Sequence, residues 1–147
     1  MTNARILQLT NSTIGAIATN GNMPLGVTTL VHPFGMDGGC PTYTITSSTS
    51  DTLVINKPGT YNLVYNASVV ATAAGDVVLG LVVNGVTKYV VSETATAAGT
   101  VNLTIPYEIY IPCNCASSPN NVPAYIQIQS TGVALTSGTS NLIVSKE

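Results

Sequence analysis

Apolar and other residues alternate without a break over residues 61–72. Tyr61, Leu63, Tyr65, Ala67, Val69 and Ala71 fall on one side, and Asn62, Val64, Asn66, Ser68, Val70 and Thr72 on the other. A period of two is that of a β-strand with one buried face. At about 3.3 Å per residue this strand reaches about 40 Å, enough to cross a whole domain. Lys57-Pro58-Gly59 opens it with a turn. Its polar side carries two valines, Val64 and Val70, whose role the pattern alone leaves open. A second long strand is predicted where Val101, Leu103, Ile105, Tyr107, Ile109 and Ile111 alternate with Asn102, Thr104, Pro106, Glu108, Tyr110 and Pro112. Pro106 has no N–H to give a ladder, so it predicts a bulge or a sheet edge.

Shorter pieces fill the rest. Residues 4–19 hold the apolar stretches ILQL and IGAIA and predict one strand preceded by an arm. VTTLVH, TYTITS and TLVI are short strands separated by NGNMPLG, PFGMDGGCP and STSD. VVLGLVV is apolar at consecutive positions and predicts a strand covered on both faces. Asn84-Gly85 follows it, a strong hairpin signal because both central residues of a type I′ turn need positive φ. VTKYVVS is the return strand, and ETATAAG and CNCASSPNNVP are loops. AYIQIQS and NLIVSK close the chain, with a turn in TGVALTSGTS between them. No stretch repeats with a helical period. The prediction is an all-β chain of eight to ten antiparallel strands, stacked as a two-sheet jelly-roll sandwich. The division expected is residues 1–25 as an N-terminal arm and first strand and 26–147 as the jelly roll, one compact domain overall.

Composition sharpens this. The 147 residues suit one core, and 45% are hydrophobic, so the chain is not disordered. Only 7% are charged, against about 25% in an ordinary domain. Thr, Ser, Asn and Gly supply the polarity, which favours close packing against other subunits. Arg5, Lys57, Lys88 and Lys146 are scattered and the net charge is −2, so no nucleic-acid partner is expected. No apolar run is long enough for a membrane-spanning helix, so no membrane insertion is expected. MTNARILQLTNSTIG lacks a basic n-region followed by an apolar h-region, so no secretory signal is expected. The sequons at Asn11, Asn66 and Asn102 then read as chance in an Asn- and Thr-rich chain.

Candidate chemistry is sparse. His32 is the sole histidine, and nothing near it completes a nucleophilic triad. Asp37, Asp51, Asp76, Glu93, Glu108 and Glu147 are spread through the chain with no pair spaced for acid–base work. PFGMDGGC lacks the lysine and helix of a phosphate-binding loop. Cys113 and Cys115, with Cys40, leave three states open: free thiols, a Cys40 bridge to one of the pair, or a soft-metal site. No catalytic residue, cofactor or metal site is expected.

Gly59-Thr60-Tyr61-Asn62-Leu63 resembles the G-x-Y-x-apolar start of the central strand in tumour-necrosis-factor-like jelly rolls, which include the complement globular heads and their phage and bacterial relatives. The order of later features is also similar: the long strand, the Val83-Asn84-Gly85 hairpin, the second long strand over 101–111 and the short apolar strand over 142–144. Pro112-Cys113-Asn114-Cys115 stands where relatives often have a Gly-Asp turn, and residues 1–25 hold no Gly-X-Y repeat, so a role at the tip of a collagen stalk is not expected. The resemblance implies a compact homotrimer with one sheet of each protomer lining the axis. Val64, Val70, Tyr107 and Tyr110 are the residues expected at that interface.

The function expected is that of a non-enzymatic virion protein on the particle exterior. It would be a trimeric bacteriophage capsid decoration or a head or tail fibre component, made in the host cytoplasm. Its partners would be other virion proteins, such as the major capsid protein or a fibre component, docked through the arm before Gly26. The second reading is a receptor- or glycan-binding head, with Tyr43, Tyr89, Tyr110 and Tyr125 stacking on sugars of a host surface. An enzyme such as a cupin-like metalloprotein ranks last, because one histidine cannot build a histidine-rich site.

Overall fold

A computed structural model describes residues 5–32, 36–37, 40–41, 43–45, 50–112 and 123–147. The described strands are β1 (Arg5–Ile14), β2 (Gly21–Asn22), β3 (Val27–His32), β4 (Met36–Asp37), β5 (Cys40–Pro41), β6 (Tyr43–Ile45), β7 (Leu53–Ile55), β8 (Gly59–Ala71), β9 (Gly75–Val83), β10 (Val86–Ala95), β11 (Thr100–Ile111), β12 (Ala124–Ser130) and β13 (Leu135–Lys146). The front sheet runs β11-β8-β13-β1-β3. The back sheet runs β10-β9-β12-β7-β6, with β2 paired to β12. Neighbours within each sheet are antiparallel, and β4 and β5 pair apart from both. This is the expected two-sheet jelly roll: the neighbours β6–β7 and β9–β10 pair within the back sheet, while the chain crosses between the layers at β7–β8, β8–β9, β10–β11, β11–β12 and β12–β13.

β8 lies between β11 and β13 in the front sheet and presents one wholly buried face, as its sequence requires. Tyr61, Leu63, Tyr65, Ala67, Val69 and Ala71 all point into the sandwich and are buried. They meet Val77, Leu79, Leu81 and Val83 of β9 and Ile126 and Ile128 of β12 in one continuous core. Burying such side chains, at roughly 1.5–3 kcal/mol each, is the main force holding the layers together. At the start of β8 the Tyr61 hydroxyl donates to the Lys57 carbonyl at 2.7 Å. Gly59 sits at φ +149°, and a Cβ there would stand 2.9 Å from Lys146 Cε. The Gly-x-Tyr pattern is therefore a turn clamp: glycine supplies the backbone and tyrosine ties it down.

Asn84 and Gly85 have φ of 50° and 80°, the pair of positive values the hairpin demands. The run in β9 is covered on both sides as expected, since Gly80 and Val82 are buried on the outward face. Pro106 lies on β11, an edge strand of the front sheet, and the β8–β11 register passes it without a shift. Of the two outcomes its sequence offered, the edge is the one realised.

One expectation needs correction: ETATAAG is not wholly a loop, because β10 continues to Ala95. TGVALTSGTS bends at residues 132–133, and β13 starts within it at Leu135, pairing with β8 through an irregularity between Leu135 and Ser137. Of residues 1–25, expected as an arm and first strand, residues 5–14 are that strand: β1 lies between β13 and β3 in the front sheet, and Leu7, Leu9, Ile14, Met23 and Leu25 are core residues. Its alternating leucines needed a sheet to cover, and the nearest complement is the last strand of the chain.

Candidate subunit interface

The outward side of the front sheet is the surface on which the predicted interface residues can be judged. Cross-strand register arranges it in tiers. Pro106 opposes Val64, Val64 opposes Ile143, Ile143 opposes Gln8, and Gln8 opposes Leu30. This tier is apolar apart from one glutamine. Val64 is 36% and Leu30 45% exposed in the single chain. Beside it lies a hydroxyl and amide tier in which Thr104 opposes Asn66, Asn66 opposes Asn141 and Asn141 opposes Thr10. The next tier is Asn102, Ser68 and Thr139, and after it come Thr100, Val70 and Ser137. On the other flank stand Glu108, Asn62, Ser145 and Ile6, and beyond them Tyr110 and Thr60. Across the outward positions of β11, β8, β13 and β1, Glu108 is the single charged side chain.

A face so short of charge is unusual for one meant to stay in water. Isolated exposed valines are normal on monomers. Here Val64 is not isolated, because register brings Pro106 and Ile143 to its sides. The polar tiers are not random either. Thr104 donates to Asn66 Oδ1 at 2.9 Å, and the Thr10 and Thr29 hydroxyls lie 3.0 Å apart. A depression of about 440 Å³ crosses these tiers, lined by Thr10, Ser12, Asn66, Asn102, Thr139 and Asn141 among others. Its lining carries hydroxyls and amides but no ionisable group, so it offers hydrogen bonds and no general acid or base.

Of the four residues expected at an interface, Val64, Val70 and Tyr110 share the outward side, and Tyr110 is 65% exposed. Tyr107 does not join them. It points inward from β11, packs against the core and meets the Tyr89 ring at 6.2 Å with a 58° tilt. The two rings close the rim where β10 and β11 bring the sheets together. Ile143, Leu30 and Pro106 complete the apolar tier and were not singled out from sequence. The alternation in each strand marks them as outward, but only the register shows that they are neighbours.

The four tyrosines considered for sugar stacking do not form one platform. Tyr43 is half-buried against the core, Tyr89 leans on Tyr107, and Tyr110 and Tyr125 project from different sheets. His32 and Cys40 are placed in β3 and β5 by their backbones. Cys113 and Cys115 lie outside the described residues. Among the described residues no group of three His, Cys, Asp or Glu side chains comes together as a metal site would need. No helix among the described residues is long and apolar enough to cross a membrane.

One buried group is electrostatically distinctive. Tyr65 is 1% exposed, and its hydroxyl and that of Ser140 lack a well-formed hydrogen bond. Burial pushes the Tyr65 pKa up to about 12, an effect that the nearby Ser140 hydroxyl only partly opposes.

No protein-family model matches the chain, and no curated protein does. Solved structures match it over nearly its whole length. PRD1 vertex protein P5 is similar with a TM-score of 0.61 and 19% identity, covering 99% of both chains. The Eiger TNF of S. frugiperda gives 0.72 at 8% identity, covering 99% of this chain and 94% of the other. The globular domain of zebrafish complement 1qA protein gives 0.56 at 10%, covering 95% and 94%. At such identities the likeness is one of fold, and the fold is the TNF-like jelly roll.

Proposed function

We propose that the protein is a non-enzymatic structural component of a virion, assembled as a homotrimer through the outward side of its front sheet. The observation that carries the assembly is the tiered, nearly uncharged surface on β8, β11, β13 and β1. Its Pro106–Val64–Ile143 tier gains from leaving water, while its hydroxyl and amide tiers can hydrogen-bond to the same groups on another copy. A cyclic arrangement with the axis roughly along the strands keeps equal tiers at equal height. The apolar tier then meets the rim of the next copy, where Tyr89 and Val90 are exposed and Tyr107 is half-buried.

The virion role is supported by the end-to-end likeness to a vertex protein, which joins this fold to a position on a viral particle. The step from fold to role is by analogy. The closing test is a residue-resolution image of the intact particle. Trimers on the exterior, contacting capsid or fibre proteins, are expected; particles lacking the protein would overturn the role while leaving the trimer intact.

The receptor- or glycan-binding reading retains the exposed rings of Tyr110 and Tyr125, but they stand on separate sheets and no shared sugar platform favours it.

A further inference from the structure

We infer that Asn66 and Asn141 set how many subunits assemble and at what height they meet, rather than supplying most of the attraction. This rests on the outward side of the front sheet being the subunit interface. The two residues are directly opposed on β8 and β13, in the middle of that side. Asn141 Oδ1 is buried and accepts no hydrogen bond. Asn66 spends its oxygen on the Thr104 hydroxyl, and its amide N–H groups have no acceptor among the described residues. Both therefore hold unused capacity, a donor pair beside an acceptor. The neighbouring lining of the depression, Ser68, Asn102 and Thr139, is neutral and able to bond in either direction.

Apolar contact is non-directional, so the Pro106–Val64–Ile143 tier by itself tolerates sliding. Outward side chains recur every second residue along a strand, so sliding a subunit by one such repeat moves it about 6.6 Å. Such a slide would place the Asn66 and Asn141 amides against the apolar tier of the neighbour. An amide buried that way without a partner keeps its full desolvation penalty, and that penalty recurs in every subunit. The correct height and rotation let the amides meet amides and hydroxyls across the interface, with Asn141 turning about its broad terminal torsion to expose its oxygen. A single buried asparagine fixes register and oligomer number in coiled coils at some cost in stability. The same trade fits this sheet face.

Native mass spectrometry on the full chain tests the inference with three proteins. The parent should give one trimer. The variant carrying Asn66→Val and Asn141→Leu should fold with undiminished thermal stability but lose the single species, spreading over several stoichiometries. The variant carrying Asn66→Thr and Asn141→Thr keeps hydrogen-bonding groups in place and should remain a single trimer. If the apolar variant stays a uniform trimer, or if the threonine variant spreads as widely, the inference is overturned and the interface reading stands. If the parent itself is a monomer, the interface reading fails and the inference with it. Should the apolar double variant not fold, Asn66→Val alone, at a position exposed in the single chain, answers in the same way.

Discussion

The hydroxyl of Tyr61 donates a 2.7 Å hydrogen bond to the carbonyl of Lys57, four residues back and across the turn that opens β8. Lys146 Nζ stands 5.8 Å from the centre of the same ring, so the last strand is tied to this turn as well. Tyr61→Phe keeps the ring and removes the bond, and should lower stability by about 1 kcal/mol. Gly59→Ala should cost more, about 1–3 kcal/mol, because φ of +149° excludes a side chain. The steric part is smaller, since the flexible Lys146 side chain can give way. Urea melts of the two variants check the order.

Tyr65 makes stability depend on alkaline pH. Burial raises its folded pKa to about 12, above the ordinary tyrosine value of 10.0. Below pH 10 both folded and unfolded forms are neutral, and the contribution is fully present. Between 10 and 12 the unfolded chain ionises first, so stability falls as pH rises, by up to about 2–3 kcal/mol. Tyr65→Phe should flatten that part of the decline, and should cost little at pH 7, because the hydroxyl it removes makes no well-formed hydrogen bond. Denaturant melts from pH 8 to 12, read beside tyrosinate absorbance, test both statements.

β8 and the Asn84-Gly85 hairpin were legible in the sequence because each states its structure locally: one by strict alternation, the other by residues that accept positive φ. β10 was cut short at its far end because an edge strand need not alternate. Ser92, Glu93 and Thr94 are all exposed, so nothing in their order separates strand from loop. The first half of β13 is hidden for a related reason, since Leu135, Ser137 and Gly138 pair with β8 across a register shift that passes over Thr136. The candidate interface was half legible. Val64 and Val70 broke a polar pattern, but Ile143 and Leu30 become their neighbours only through pairings between distant parts of the chain. Tyr107 falls on the inward side of β11 by the alternation itself, but its place at the rim beside Tyr89 comes from the contact between β10 and β11.

The place of β1 yields a third prediction. Leu9 is fully buried between the layers, so Leu9→Ala should cost about 2–5 kcal/mol. A chain shortened to begin at residue 15 loses the strand between β13 and β3 and should not reach the soluble folded state. Circular dichroism and thermal melts distinguish this from a detachable arm, whose removal would leave the domain intact.

Val64→Asp tests the face without touching the core. Val64 is 36% exposed in the single chain, so the carboxylate can stay hydrated there and the fold should survive with a stability change within about 0.5 kcal/mol. In an assembly the same carboxylate would be buried beside Pro106 and Ile143 without a cation, which is strongly unfavourable. The expected outcome is an unchanged circular dichroism spectrum with dissociation into single chains, read by sedimentation velocity.

The central claim is that the front sheet of this jelly roll is a subunit interface. Gel filtration with in-line light scattering on the unmodified protein tests it most directly. The account predicts one peak with the mass of three chains; a clean peak at the mass of one chain across the accessible concentration range would contradict it.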